Sequence, residues 1–168
     1  MYQDISDNIF DGRSSRDSVK TAVIAELYGI SRAALKLRLG VPDEVLSSFI
    51  NSIRDYFKID DLKKRLKAQV GTHEKIFNRF GRPIGIPHGQ DNLLVNSYAQ
   101  STGVDVSMLG FDSVLRDLGT DGIRPLFVLH DAMILDVRSD RLHDVSSINK
   151  ISIPTYDQPF LLKFDALG

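Results

Sequence analysis

The spacing of apolar residues changes character once along the chain. From Pro42 to Phe57, the residues Val45, Leu46, Phe49, Ile50, Ile53 and Phe57 recur at the three-to-four-residue interval of a helix buried on one side. Upstream, Ser14-Ser15-Arg16-Asp17 has the form of a capping box, with Ser14 at the cap and Asp17 three residues on. It predicts a helix running to Tyr28 and stopped by Gly29. Ser31 to Leu39 reads as a short amphipathic helix ended by Gly40, and Asp60 to Val70 as a basic one ended by Gly71. Lys75 to Pro87 breaks the pattern: Phe77, Phe80, Gly81, Arg82, Pro83 and Gly85 are strand-and-turn residues and predict a hairpin. Asn92 to Leu118 returns to helix. Two apolar runs flank His130-Asp131-Ala132 within Arg124–Val137 and predict a second hairpin, and Pro159–Leu167 reads as a final strand. Helices beside a small antiparallel sheet define an α+β domain.

Composition narrows the chemistry. The 168 residues include no cysteine, which removes disulfides, zinc fingers and thiol catalysis together. No apolar run reaches membrane-spanning length and the first residues do not form a signal peptide, so the expected setting is cytoplasmic, with no membrane partner. The net charge of −1 hides an asymmetry: residues 1–90 carry +4 and residues 91–168 carry −5. A basic half joined to an acidic half suits a protein that grips phosphates at one end and cations at the other. Lys63-Lys64-Arg65 sits in the basic half, where a solvated helix face accounts for such a run equally well.

Two local patterns carry candidate chemistry. Arg16, Lys20, Ile24 and Tyr28 are spaced by four. Each such step advances only about 40° around a helix, so the four line one stripe. Two cations near the positive end of the helix dipole attract anions, and an apolar and an aromatic residue follow at the right rise for a sugar and a base. From spacing alone, an amphipathic helix with a basic edge is the commoner origin of such a stripe. The second pattern is Asp131, set between Phe127-Val128-Leu129 and Met133-Ile134-Leu135. A carboxylate there must reach solvent, accept hydrogen bonds or bind a cation. An exposed hairpin tip satisfies the first, and a magnesium ligand reaching into a cleft satisfies the last.

The wording of these segments resembles family A (DNA polymerase I-like) DNA polymerases. Arg16-Asp17-Ser18-Val19-Lys20 followed by Tyr28-Gly29 keeps the spacing of that family's fingers helix. Leu129-His130-Asp131 resembles its palm motif, with Ala132 where the family has Glu. Phe80-Gly81-Arg82 resembles its Phe-Gly-Arg-Arg turn, and Asn96 to Asp105 the start of its Asn-x-x-x-Gln helix. The four occur in the family's order, over roughly residues 4–137.

The resemblance implies an incomplete right-hand polymerase fold, with a fingers-like helical region over 1–73 and a palm-like region over 74–168 holding the catalytic hairpin and final strand. It implies that Arg16 and Lys20 contact the phosphates of an incoming dNTP, that Ile24 lies near its sugar and Tyr28 near the templating position. Lys20 and Asp131 are the catalytic residues it implies, and Asp131 a ligand of Mg2+ in a two-metal site. Gln100, Asn96, His130 and Arg82 inherit contacts with primer–template DNA, while Asp105 reads as structural. Ile24 stands where the family has an aromatic ring, and is expected to exclude a 2′-hydroxyl by bulk alone. The family's other metal-binding aspartate lies upstream of the fingers helix, and Asp4-Ile5-Ser6 resembles the sequence just past it. The chain is therefore expected to need a second polypeptide carrying the thumb, the remaining palm and that carboxylate, as in a split phage-type enzyme working in host cytoplasm. The alternatives are a non-catalytic primer–template-binding subunit, a fragment of a phage-type single-subunit RNA polymerase, and a relic without a partner.

Overall fold

The computed structural model describes residues 2–10, 12, 15–73, 75–86, 91–129, 131–153, 156–157 and 159–166, with the side chains of all of these except Asn8, Ile9, Phe10, Thr72, His73 and Asn92. Backbone contacts divide the chain into two compact units, Met1–Gln100 and Ser101–Gly168. This is a division by compactness. The fingers–palm division at 73/74 is a functional one and remains a proposal.

The first unit opens with five helices: α1 (Tyr2–Phe10), α2 (Arg16–Leu27), α3 (Arg32–Leu39), α4 (Asp43–Tyr56) and α5 (Ile59–His73). Its main core gathers Val19, Ala22 and Val23 from α2, Leu35 from α3, and Leu46, Phe49 and Ile53 from α4. The α4 residues are fully buried, as their periodicity predicts. Asp43 and Glu44 in its first turn and Arg54 in its last complement the helix dipole.

Three boundaries show local rules at work. The cap of α2 is Ser15, whose Oγ accepts the Ser18 N–H at 3.1 Å. The expected cap, Ser14, lies outside the described residues, so the box is shifted by one and Ser18 takes the place expected for Asp17. At the other end, the Gly29 N–H reaches the Glu26 carbonyl and the Ile30 N–H reaches the Ala25 carbonyl, both at 3.0 Å. That paired closure needs a left-handed residue, which Gly29 supplies at φ +74°. Gly71, expected to end α5, lies inside it. A helical glycine costs only about 1 kcal/mol relative to alanine, too little to stop a helix that is otherwise packed.

After α5 the chain forms β1 (Ile76–Phe77) and β2 (Pro83–Ile84), an antiparallel pair pairing Ile76 with Ile84. Ile76 packs with Leu66 of α5 and Leu94 in a smaller core. A single-turn 3-10 segment, Asp91–Leu93, leads into α6 (Leu94–Leu118), so the boundary between the two units falls inside one continuous helix.

The second unit adds β3 (Ile123–Leu129), β4 (Ala132–Val137), a 3-10 turn at Ser139–Arg141, the short α7 (Leu142–Ser147), β5 (Lys150–Ile151) and β6 (Phe160–Leu161). Its core joins Val114 and Leu118 of α6 to Ile123, Val145 and Ile151, with Met133, Leu135 and Val137 of β4 packed on them. Arg141 closes the end of α6 by donating to the Leu118 carbonyl at 3.0 Å and the Asp121 carbonyl at 2.6 Å. Gly110 is buried, and a Cβ there would lie 2.1 Å from Cδ1 of Ile151. Gly110→Ala is therefore expected to destabilise the protein by about 1–3 kcal/mol through overpacking. Urea unfolding measures this, and an unchanged midpoint would show that Ile151 swings away freely.

The α+β class expected from the sequence is the one observed. Among the described residues the strands form three separate antiparallel pairs, β1–β2, β3–β4 and β5–β6, rather than one sheet. Of the final strand expected over Pro159–Leu167, the described residues form strand at Phe160–Leu161 alone, and Leu167 lies outside the described residues. Pro159 has no N–H to continue the ladder on one side, and on the other the ladder is limited by α7, which ends at Ser147.

Candidate functional site

In the first unit, α2 presents its four-spaced stripe to solvent. Val19, Ala22 and Val23 hold the core, while Arg16 and Lys20 are exposed and Ile24 and Tyr28 keep 38% and 48% of their surface. A helix that leaves two large apolar residues in water beside two cations has a surface suited to a ligand that is part charge and part ring. Arg16 lies 5.9 Å from the Tyr2 ring and 3.4 Å from the Asp17 carboxylate, a loose, exposed pair that holds it weakly. Lys20 makes no ion pair among the described residues. Toward the C-terminal end, Ile24 and Tyr28 line a cleft of about 430 Å³ with Thr21, Ile30 and Arg38.

Gln100 reaches this stripe from α6: its side-chain amide donates to the Tyr28 hydroxyl. Asn96, one helical turn earlier, is half-buried. Arg82 sits in the turn between β1 and β2. That turn is organised by a residue the sequence reading passed over, Asn78. Its buried side-chain oxygen accepts the N–H groups of Phe80 and Arg82, both at 2.9 Å. Gly81, at φ +80°, closes the turn onto the Asn78 carbonyl at 3.1 Å. Asparagine two residues before a turn of this kind is the available sequence signal.

In the second unit, Asp131 stands at the turn between β3 and β4, exposed and without an ion pair among the described residues. It reaches solvent, which resolves the cost of placing a carboxylate in an apolar sequence. Its cleft, about 410 Å³, is lined also by Phe111, Met133 and Asp165. Asp165 is 3.0 Å from Lys163. No group of three His, Cys, Asp or Glu side chains that could cage a metal occurs among the described residues. Asp131 fits one Mg2+ ligand of the hard-oxygen type, but a two-metal site needs carboxylates beyond it. His130 lies outside the described residues. Asp105 is buried, as a structural role requires.

The hairpin is fixed at its base. Arg124 pairs across the strands with Asp136 at 2.9 Å, and Arg138 with Asp121 at 3.1 Å and Asp140 at 2.6 Å. Hydrogen bonds that Arg138 donates to Asp140 and then to Asp121 raise its pKa above the ordinary value. The register slips between Pro125 and Phe127, leaving Leu126 as a bulge. Met133, Leu135 and Val137 turn to the core, so Ile134 and its cross-strand partner Phe127 face the other way. Phe127 and Leu129 are 57% and 56% exposed.

The fold so built resembles part of a DNA polymerase domain. One solved structure it matches is the POL domain of Pol1 from M. smegmatis, in complex with DNA primer-template and dNTP. The TM-score is 0.65 at 18% sequence identity, over 86% of this chain and 29% of that one. At that identity the likeness is one of fold, and the chain spans under a third of the structure it matches. No family model matches the sequence. Among the described residues, no helix is long and apolar enough to cross a membrane.

Proposed function

We propose that this chain supplies the nucleotide-gripping helix and one catalytic carboxylate of a template-directed DNA polymerase, which joins dNTPs to a primer 3′ end. The observation that carries the reading is the solvent-facing stripe of α2. Arg16 and Lys20 take the triphosphate, Ile24 meets the sugar and Tyr28 the base. Gln100, Asn96, Arg82 and His130 hold the primer–template. Asp131 holds Mg2+, which when bound neutralises charge on the phosphates and lowers the pKa of the primer hydroxyl.

The chain works with a second polypeptide that brings the thumb, the remaining palm and the other carboxylate. The hairpin supports this. A solvated sheet face is normally polar, yet Leu126, Phe127 and Leu129 are all about half exposed or more on β3. Neither edge of the β3–β4 pair meets a further strand among the described residues, and open edges accept strands.

The chain alone, given primer–template, Mg2+ and dNTPs, is expected to give no extension. Extension by the isolated chain would reject the dependence on a partner. Separately, Lys20→Gln is expected to weaken dNTP binding to the isolated chain by about tenfold, the worth of one charged hydrogen bond. Calorimetric titration reads this directly, and an unchanged affinity removes the α2 stripe from the reading.

A further inference from the structure

The last turn of α2 has a back as well as a front. Ile24 and Tyr28 face solvent on the stripe. Glu26 lies two residues from each, a step of about 200° around a helix, so it points the opposite way. Its side chain is only 9% exposed and accepts from Arg54 Nε at 2.9 Å. Arg54 stands in the last turn of α4 and also lies 3.7 Å from Asp60 in the first turn of α5. The polymerase reading uses none of these three residues.

The Glu26–Arg54 pair adds what the core does not. Val19, Ala22, Val23 and Ala25 hold α2 down by apolar burial, which is non-directional and fixes the depth of a helix better than its angle. A hydrogen bond between ionised groups weakens steeply as it bends, so it resists rotation of the helix about its axis. The other charges around this side of α2 are engaged elsewhere. Arg32 donates to the Asp43 carbonyl at 3.2 Å and to the Ser47 hydroxyl, and the Asp43 carboxylate pairs with Lys36. Lys63 acts on Asp91, which Lys67 meets at 2.6 Å. Arg54 is therefore the partner Glu26 has among the described residues. The hydrogen bond to Glu26, more than the field of Asp60, raises the Arg54 pKa above its ordinary value, so the guanidinium keeps its charge at any working pH.

The anchor acts at one end of the stripe. Glu26 is ten residues from Arg16, about 15 Å along the helix axis. The cationic end has its own fixing point, the Ser15 cap. At the other end Tyr28 is the last residue before Gly29, which leaves the helix at φ +74°, so no further turn steadies it. Gln100 holds the Tyr28 hydroxyl from outside the helix. Glu26 and Arg54 hold the backbone that carries the ring. We propose, on the α2 reading above, that Glu26 and Arg54 are positioning residues: their ion pair sets the angle at which the end of α2 presents Ile24 and Tyr28, and so governs how the ring half of a nucleotide is bound while leaving its phosphates alone.

The test is calorimetric titration of the full chain with two ligands, dATP and inorganic triphosphate, at one Mg2+ concentration. Glu26→Gln keeps the shape of the side chain and removes its charge, and Arg54→Met removes the cation. Each is expected to weaken dATP binding by about fivefold and to change the affinity for inorganic triphosphate by less than about twofold. The double variant is expected to lose no more than the weaker-binding single variant, since the second change removes a partner already gone. A role in stability alone would lower the unfolding midpoint and leave dATP affinity untouched, and that result overturns the proposal. Equal losses for the two ligands, or additive losses in the double variant, overturn it as well. Should a variant lose its thermal unfolding transition, Arg54→Lys decides. It keeps the charge without the rigid fork, so dATP affinity is expected to fall by about threefold with inorganic triphosphate unchanged, and an unaltered dATP affinity overturns the proposal. Lys20→Gln separates the two levels of the argument. If it weakens both ligands while Glu26→Gln weakens neither, the positioning role fails and the α2 stripe stands. If the unaltered chain binds neither ligand, the stripe itself fails and takes the positioning role with it.

Discussion

Asp131→Ala is expected to lower primer extension by the partner-completed enzyme by about three orders of magnitude while changing primer–template affinity by less than about twofold. The carboxylate is exposed at the β3–β4 turn and pairs with no cation among the described residues, so removing it leaves no orphaned partner and opens no cavity. Structure and stability should therefore survive, and the lost activity reports chemistry. The substitution also separates the proposed reading from that of a non-catalytic binding subunit. A subunit that only holds DNA contributes no metal ligand, and its Asp131→Ala variant would support extension at the level of the unaltered chain. Single-turnover kinetics on the complex co-purified from its source is the decisive measurement, and retention of more than about a tenth of the rate would discard Asp131 as a ligand.

The largest effect on stability is expected at Phe49. The ring is fully buried in the core of the first unit, between Leu46 and Ile53 of its own helix and residues of α2 and α3. Phe49→Ala removes that ring and leaves a space its neighbours fill only in part, which costs about 3–5 kcal/mol. Urea unfolding followed by far-ultraviolet circular dichroism reads the loss, since most of the first unit is helix. A loss below about 1 kcal/mol would mean that the helices close over the gap and that the core is less tightly fitted than its burial indicates.

The helical half was legible because each helix has signals that agree. In α4 the apolar period, the first-turn acids Asp43 and Glu44, and the following break all point the same way. The hairpin around Asp131 was legible from two β-rich runs and a polar tip. What the sequence did not convey lies where one residue type serves two ends. Gly71 has the composition of a stop and sits inside a helix, since glycine lowers helix propensity without forbidding it. Ser14 and Ser15 are chemically equal caps, and only backbone geometry selects the second. The run Leu126 to Leu129 has the composition of a buried strand yet is exposed, because burial is decided by what packs over a strand and not by the strand itself. For the site, the stripe on α2 followed from helical arithmetic. The Gln100–Tyr28 hydrogen bond joins residues far apart in sequence, and no local pattern announces it.

The bare apolar side of the β3–β4 hairpin has a practical corollary for how this chain behaves when made by itself. Side chains such as Phe127 and Leu129 in water are what heat-shock proteins recognise and what drives concentration-dependent clumping. Yield and monodispersity should then track the supply of whatever normally covers that side. A cell producing the chain in excess would be expected to sequester or degrade the surplus.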